Sequence, residues 1–389
     1  MDLKPGLRQP YLMYEWNDSE STAKGWIVVY NFVNNFCSGG TRMHPTVTPE
    51  EVYRLARAMA YKYKACESIT TGGCKAGIAY DYKAPDARDV LKRFMIAATP
   101  LMRAGVNLGG DLGVDANEVF KIWDEIGVLI PQTQAMRKDP NVIKGTEKHD
   151  KMCSMTLDRF TTYDMITGYG VAFGTDELWT LRSGQSGGGA RVMIQGFGCV
   201  GSSAAWKLAK MGYKIVGLAD VHGVVACQDG LDIDLLLDSR QVVGEMSREA
   251  LPANYQQLPN SRWLDVDCDI LIPAALEDVL NKDNAHQVKA KVVSEAANIP
   301  TTPDADKVFF EKGIDVGIDF TVNLGATRYY DSIIFNTIEA DVQEASDDVE
   351  KIVRKDVRLV YEEAKRSGRM PRAVAEEIFA PDTFSYPDI

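Results

Sequence analysis

The chain has 389 residues, enough for two domains, and its 45% hydrophobic and 25% charged residues are the composition of an ordinary globular protein. A net charge of −12 argues against nucleic acid and anionic membranes as partners, since both attract basic surfaces. The start is polar rather than signal-like, and no apolar run reaches the ~18 residues of a membrane span. Seven cysteines without a Cys-x-x-Cys pair, and four scattered histidines, read as reduced thiols in a cytoplasmic protein with no metal site.

Along the chain, Trp26-Ile27-Val28-Val29-Tyr30 reads as an early strand. Thr48-Pro49-Glu50-Glu51 is a capping box with proline in the first turn. Val52, Leu55, Met59, Lys62 and Cys66 then recur at helical spacing, which predicts that Lys62 lies on the buried stripe and Lys64 off it. A lysine on such a stripe usually snorkels to solvent. Here, however, the helix runs directly into Gly72-Gly73-Cys74-Lys75-Ala76-Gly77, read as a glycine turn carrying a second lysine. Two cations converging on one cleft suit a substrate carboxylate. Gly109-Gly110-Asp111 delivers a carboxylate by the same device, and glycines let backbone approach a small ligand closely. A lysine and an aspartate presented in this way point to carbonyl or imine chemistry run by an acid and a base.

Ser183-Gly184-Gln185-Ser186-Gly187-Gly188-Gly189 is the clearest seam. Beyond it, apolar strands predicted at 191–195, 214–219, 269–273, 291–295 and 314–318 alternate with helices, as in a parallel sheet. The first strand leads into Gly196-Phe197-Gly198-Cys199-Val200-Gly201, followed by a helix from Ser202 to Met211 and a strand ending at Asp220. Gly196 permits the tight turn, Gly198 lets backbone meet a pyrophosphate, and Gly201 lets helix pack on strand, with the helix N-terminus facing the phosphates. Asp220 stands where a carboxylate about 20 residues on can bond both ribose hydroxyls and repel a 2′-phosphate, which favours NAD. This half is therefore expected to be a Rossmann-type domain.

At this point the residues match a family. Gly39-Gly40-Thr41-Arg42-Met43, Met59-Ala60-Tyr61-Lys62, the Lys75 and Asp111 segments, Thr167-Gly168-Tyr169-Gly170-Val171, Gly196 to Gly201, Glu295-Ala296-Ala297-Asn298 and Asn323-Leu324-Gly325 occur in order. This arrangement, over about residues 20–340, resembles the glutamate/leucine/phenylalanine/valine dehydrogenases. The resemblance implies oxidative deamination of an L-amino acid to its 2-oxo acid with release of ammonium, and a homo-oligomer. By resemblance Lys62 holds the substrate α-carboxylate, Lys75 activates water and steadies the carbinolamine oxygen, and Asp111 shuttles protons to the amino group. Gly39, Gly40 and Asn298 line the substrate, and Thr167, Asn298 and Asn323 the nicotinamide end of the cofactor.

The expected fold is α/β in two domains: a substrate domain over 1–155, an NAD-binding Rossmann domain over 156–330, and C-terminal helices over 331–389 that return to the substrate domain. The active site is expected in the cleft between the domains.

Several positions depart from the family pattern. The interval from Lys62 to Lys75 is one residue longer than usual, absorbed by a bulge or displacing the carboxylate clamp. Cys74 and Ala76 flank the catalytic lysine and could reshape the pocket or expose a thiol. Ser38 stands where glutamate-specific members carry a lysine, which disfavours glutamate as substrate, and Gly39-Gly40-Thr41-Arg42-Met43 resembles the leucine/phenylalanine branch. Thr327-Arg328-Tyr329-Tyr330 either makes the side-chain pocket more polar or begins a solvent-facing helix. Alternatives are turnover of a non-standard amine or ketone, and a nucleotide-binding regulatory protein that has lost the chemistry.

Overall fold

The computed structural model describes residues 8–33, 36–68, 71–128, 140–152, 154–249 and 251–381. The chain divides into two compact units. One comprises Met1–Lys148 with Ile333–Thr337 and Phe379–Ile389, the other His149–Ser332 with Ile338–Ile378.

The first unit is built on five strands: β1 (Leu12–Asn17), β2 (Lys24–Val29), β3 (Cys37–Met43), β4 (Gly72–Ala79) and β5 (Val106–Gly110), in the order β1-β2-β4-β3-β5. β2 runs antiparallel to β1 and β4, whereas β3 runs parallel to β4 and β5. Helix α1 (Pro49–Ala65) starts at the foreseen cap, where the Glu51 N–H donates to Thr48 Oγ1 at 3.2 Å. It lays Val52, Tyr53, Ala56 and Ala60 against Trp26, Val28 and Tyr30. Helices α2 (Ala87–Arg103) and α3 (Ala116–Glu125) cover the other face with Val90, Phe94, Met95, Val119 and Ile122. Each such side chain contributes roughly 1.5–3 kcal/mol by leaving water.

The segment read as a glycine turn, Gly72 to Gly77, is a strand throughout. Its glycines serve packing rather than turning. A Cβ on Gly73 would stand 2.2 Å from the Ala60 nitrogen of α1, so the missing side chain lets helix and strand touch.

The second unit opens with a ribbon of β6 (Thr156–Leu157) and β7 (Phe160–Thr161), followed by helix α4 (Thr162–Ser183). Its sheet contains β8 (Arg191–Gln195), β9 (Lys214–Asp220), β10 (Gly223–Ala226), β11 (Gln256–Leu258), β12 (Ile270–Pro273), β13 (Val292–Ser294) and β14 (Asp315–Gly317). The order is β11-β10-β9-β8-β12-β13-β14. The five foreseen strands form its parallel part, and β10 and β11 add an antiparallel edge. β11 is Gln-Gln-Leu, too short and polar to register as a strand in the sequence. The chain leaves β8 for β9 on one side and later returns to β12 on the other. The order therefore reverses at β8, where doubly wound sheets hold their ligands.

The polar seam at 183–189 lies inside this unit, between α4 and β8, and separates elements rather than domains. Further helices are α5 (Cys199–Lys210), α6 (Pro303–Glu311), α7 (Asp319–Val322), α8 (Gly325–Ile334), α9 (Val342–Ser367) and α10 (Pro371–Ile378), besides unlabelled ones at Pro140–Met152 and Ile233–Asp238. The tail helices do not return to the first unit as expected. Ile338–Ile378 belongs to the second, where α9 lies along α4. The physical reason is the fit of α9's valine stripe to α4's glycines: a Cβ on Gly174 would stand 2.9 Å from Val353 Cγ1. Only Ile333–Thr337 and the end of the chain from Phe379 join the first unit.

Among the described residues no helix is long and apolar enough to cross a membrane, and no group of three or more His, Cys, Asp or Glu is placed to hold a metal ion.

Candidate active site

In the first unit, register gathers the polar groups. Ser38 on β3 pairs with Gly73 on β4 and with Asn107 on β5, and Arg42 pairs with Gly77. Because side chains alternate along a strand, Ser38, Gly40 and Arg42 share one face with Lys75 and Asn107, the face on which α1 packs. Lys75 is 4% exposed and forms an ion pair with Asp111 Oδ2 just beyond β5. Arg42 adds its Nε at 3.7 Å from the same oxygen and donates Nη1 to Glu51 at 2.8 Å. Burial pushes the Asp111 carboxyl up, but Lys75 and Arg42 outweigh it and bring its pKa down to about 2. A Cβ on Gly40 would stand 2.6 Å from the Gly110 oxygen and 2.9 Å from Asp111 Cβ, so this glycine lets the aspartate turn close in.

Lys62 lies buried in the last turn of α1, whereas Lys64 is half-exposed, as the helical spacing predicts. Between α1 and β4 the chain turns through Glu67, whose φ of 57° is unusual for a non-glycine residue; residues 69 and 70 lie outside the described residues.

Ser38 Oγ accepts from Asn107 Nδ2 at 2.9 Å, and Asn107 Oδ1 is buried with no hydrogen-bond partner among the described residues. A neutral pair thus stands at the position where glutamate-specific relatives are expected to carry a lysine. Cys74 does not expose a thiol. Its side chain turns to the opposite face and lies with Cys37 in the apolar core, where burial and the neighbouring Cys74 push the Cys37 thiol well up.

In the second unit the glycine motif turns sharply after β8. Gly196 has φ 112° and donates its N–H to the Ala219 oxygen at 2.8 Å. A Cβ on Gly201 would stand 2.1 Å from the Gly196 oxygen, whereas nothing lies within 4 Å of one on Gly198. Gly198 is the N-cap of α5 and gives it no side-chain cap, so the first amides of Cys199, Val200 and Gly201 face an open side. That cradle fits a pyrophosphate. Phe197 is buried and forms a bridge to Gly244. The Cys199 thiol, half-buried beside Asp164, is pushed up to about 11 by that burial and by the Asp164 carboxylate.

Thr167 Oγ1 accepts from the Ala326 N–H at 3.2 Å. Asn323 Nδ2 donates to the Ala296 and Ala297 oxygens and to Asn298 Oδ1 at 3.3 Å, while Asn323 Oδ1 is buried with no partner among the described residues. These contacts tie Thr167 to the start of α8 and Asn323 to Asn298, on the segments that follow the ends of β13 and β14. Beneath them lies a charged hub. Arg372 Nη2 donates to Glu295 at 2.5 Å, and its guanidinium also pairs with Asp306 and stands 3.5 Å from Asp319. Asp319 Oδ2 accepts from Ile299 N–H at 2.8 Å and thereby secures a residue whose φ is 45°. Burial, eased by Arg372 but reinforced by Asp319 and Asp306, raises Glu295 to about 7.

Asp220 differs from expectation. Instead of offering its carboxylate to a ligand, it receives a two-pronged bond from Arg248 and backbone donors from His222 and Met246. Arg328 likewise commits its Nε and Nη2 to Asp348 of α9 at 2.6 and 2.8 Å, and Tyr329 is buried, so this stretch does not face solvent. Sequence reasoning missed Arg42, Asn107, Arg248 and Arg372 as site or support residues. Arg42 alone had a signal, its place in the Gly-Gly-Thr-Arg-Met stretch.

Residues 11–134 match the family model described as Glu/Leu/Phe/Val dehydrogenase, dimerisation domain, and residues 161–378 that of Glutamate/Leucine/Phenylalanine/Valine dehydrogenase. The chain is 32% identical over 308 residues to the NAD-specific glutamate dehydrogenase of Staphylococcus aureus strain COL, covering 78% of this chain and 70% of that one. Among solved structures it is similar to the hetero-hexameric glutamate dehydrogenase of Thermus thermophilus in its leucine-bound form. That likeness has a TM-score of 0.75 and 25% identity over 97% of this chain and 91% of that one. A Plasmodium falciparum glutamate dehydrogenase, 18% identical, shares the fold with a TM-score of 0.71 over 95% of this chain and 82% of its own. The chain belongs to the glutamate/leucine/phenylalanine/valine dehydrogenase family.

Proposed function

We propose that this protein oxidatively deaminates an L-amino acid with an uncharged side chain, reversibly and as a homo-oligomer. Its class, an NAD-dependent amino acid dehydrogenase, follows from family membership. The observation that carries the substrate reading is the neutral Ser38–Asn107 pair on the Lys75 face. A buried side-chain carboxylate needs a cationic partner, and this pair offers hydrogen bonds without charge.

The roles are those that the family resemblance implies for these positions. Lys62 holds the α-carboxylate, and the thin strand at Gly39 and Gly40 admits the substrate backbone. Asp111 takes a proton from the amino group, because hydride leaves the α-carbon only when the amine is neutral. Lys75 steadies the oxygen that water brings to the imine carbon. When Lys75 turns to that oxygen, Asp111 loses its nearest cation and binds a proton more tightly, so the ion pair couples the two steps. Thr167, Asn298 and Asn323 orient the nicotinamide, and the 196–201 turn receives the pyrophosphate. The bound dinucleotide supplies the hydride acceptor.

The test is NADH formation over a panel of L-amino acids. A neutral amino acid should exceed glutamate in kcat/KM by about a hundredfold or more, the scale of an unpaired buried charge. Glutamate as the best substrate would overturn the side-chain reading while leaving the enzyme class intact.

A further inference from the structure

Ile299 has a φ of 45°, although it is β-branched and is followed by Pro300. Both features drive a residue to negative φ, so this conformation persists only where the surroundings impose it. The residue is held at both ends. Its oxygen accepts from the Asp278 N–H at 3.1 Å, and its N–H donates to Asp319 Oδ2 at 2.8 Å. That carboxylate is itself fixed. The Asp319 side chain is 1% exposed, its backbone N–H donates to Glu295 Oε2 at 2.9 Å, and Arg372 Nη1 stands 3.5 Å from its Oδ1. Arg372, arriving from the start of α10, reaches the same Glu295 with Nη2 at 2.5 Å and pairs with Asp306 through Nε. The hub thus grips the chain on both sides of Asn298, at Glu295 before it and at Ile299 after it.

We propose that Asp319, held in place by Arg372, is a positioning residue for the reaction: it clamps the peptide group between Asn298 and Ile299 and so aims Asn298 at the nicotinamide. The Ile299 N–H and the Asn298 carbonyl belong to one planar group. Without the carboxylate, Ile299 relaxes toward negative φ, the plane rotates, and the Asn298 side chain turns with it. A charged acceptor suits the task, because its bond to an N–H is stronger than that of a neutral one. The clamp rests on Asn298 orienting the nicotinamide and is independent of which amino acid is the substrate.

The experiment follows NADH binding by nicotinamide fluorescence, kcat/KM with the best amino acid, and Tm, all in variants of the full chain. Asp319→Ala should weaken NADH and lower kcat/KM by about tenfold or more, the weight of one enforced positive φ. Asp319→Asn, whose amide oxygen still accepts from Ile299, should lose only about two- to threefold. The decisive readout is rescue. Glycine takes positive φ freely, so in an Ile299→Gly background the Asp319→Ala loss should shrink to about threefold or less. In an Ile299→Ala background, which keeps the Cβ, it should stay near about tenfold. An undiminished loss with glycine overturns the proposal, as does an Asp319→Ala variant altered in Tm alone. If Asp319→Ala does not fold, Asp319→Asn is compared in the same backgrounds, where no loss, or a loss that glycine fails to reduce, overturns it. Asn298→Ala separates the clamp from the role it serves. Unchanged affinity and turnover there overturn the Asn298 assignment and this proposal with it, whereas a loss there with none in Asp319→Ala overturns the clamp alone.

Discussion

Arg42 stands between the N-terminus of α1 and the Asp111 carboxylate, and with Lys75 it keeps that carboxylate ionised despite burial. Removing the two cations should have distinguishable results. Lys75→Ala and Asp111→Asn should each lower kcat by about 10²–10⁴, the usual weight of a positioned acid or base, with thermal stability measured in parallel. Equal turnover in either variant would sink the assignment. Arg42→Met leaves Lys75 in place but takes one lowering influence from Asp111. The acid limb of the pH–rate profile should then move to higher pH, and an unmoved limb would separate Arg42 from the proton transfer. The sign for stability is fixed as well. Asp111 is depressed from 3.8 to about 2, so its contribution is complete above 3.8 and disappears as pH falls toward 2.

At the scale of elements, the site depends on how thin the sheet is under α1. Gly40→Ala places a methyl group 2.6 Å from the Gly110 oxygen and 2.9 Å from Asp111 Cβ, and neither partner is the end of a flexible chain. This substitution should displace the aspartate turn and reduce kcat at least tenfold while circular dichroism changes little; unimpaired turnover would contradict the close approach. Thr48→Ala removes the α1 cap and should cost about 1 kcal/mol, measurable by denaturant unfolding. These elements also show what was legible in the sequence. The parallel strands of the second unit, such as Arg191–Gln195 and Lys214–Asp220, are apolar runs with turn signals at each end, so their places were evident. The Lys75 segment was misread because glycines usually mark turns, whereas here they make room for a helix. The polar strand β11 and the docking of α9 on α4 depend on partners far along the chain, which no local pattern displays.

At the scale of the whole molecule, charge is unevenly balanced. A chain of net charge −12 places three carboxylates around one half-buried guanidinium, that of Arg372. Glu295 is raised from 4.5 to about 7, so its contribution to stability is complete below 4.5 and is lost as pH rises through about 7. Glu295→Gln should therefore flatten the dependence of Tm on pH across that window, as followed by calorimetry; an equal slope in both proteins would place the proton elsewhere. Arg372→Met leaves those carboxylates unanswered and should be the most destabilising change named here. The burial of Cys37, Cys66 and Cys74 has one more consequence. A thiol with no exposed surface reacts with an alkylating reagent only while its surroundings are open, so labelling rates at these three positions become a clock for opening of the first unit. Because Cys74 adjoins Lys75, a ligand that tightens the catalytic strand should slow that clock, and occupancy of the site could be read from a sulfur atom on the far side of the sheet.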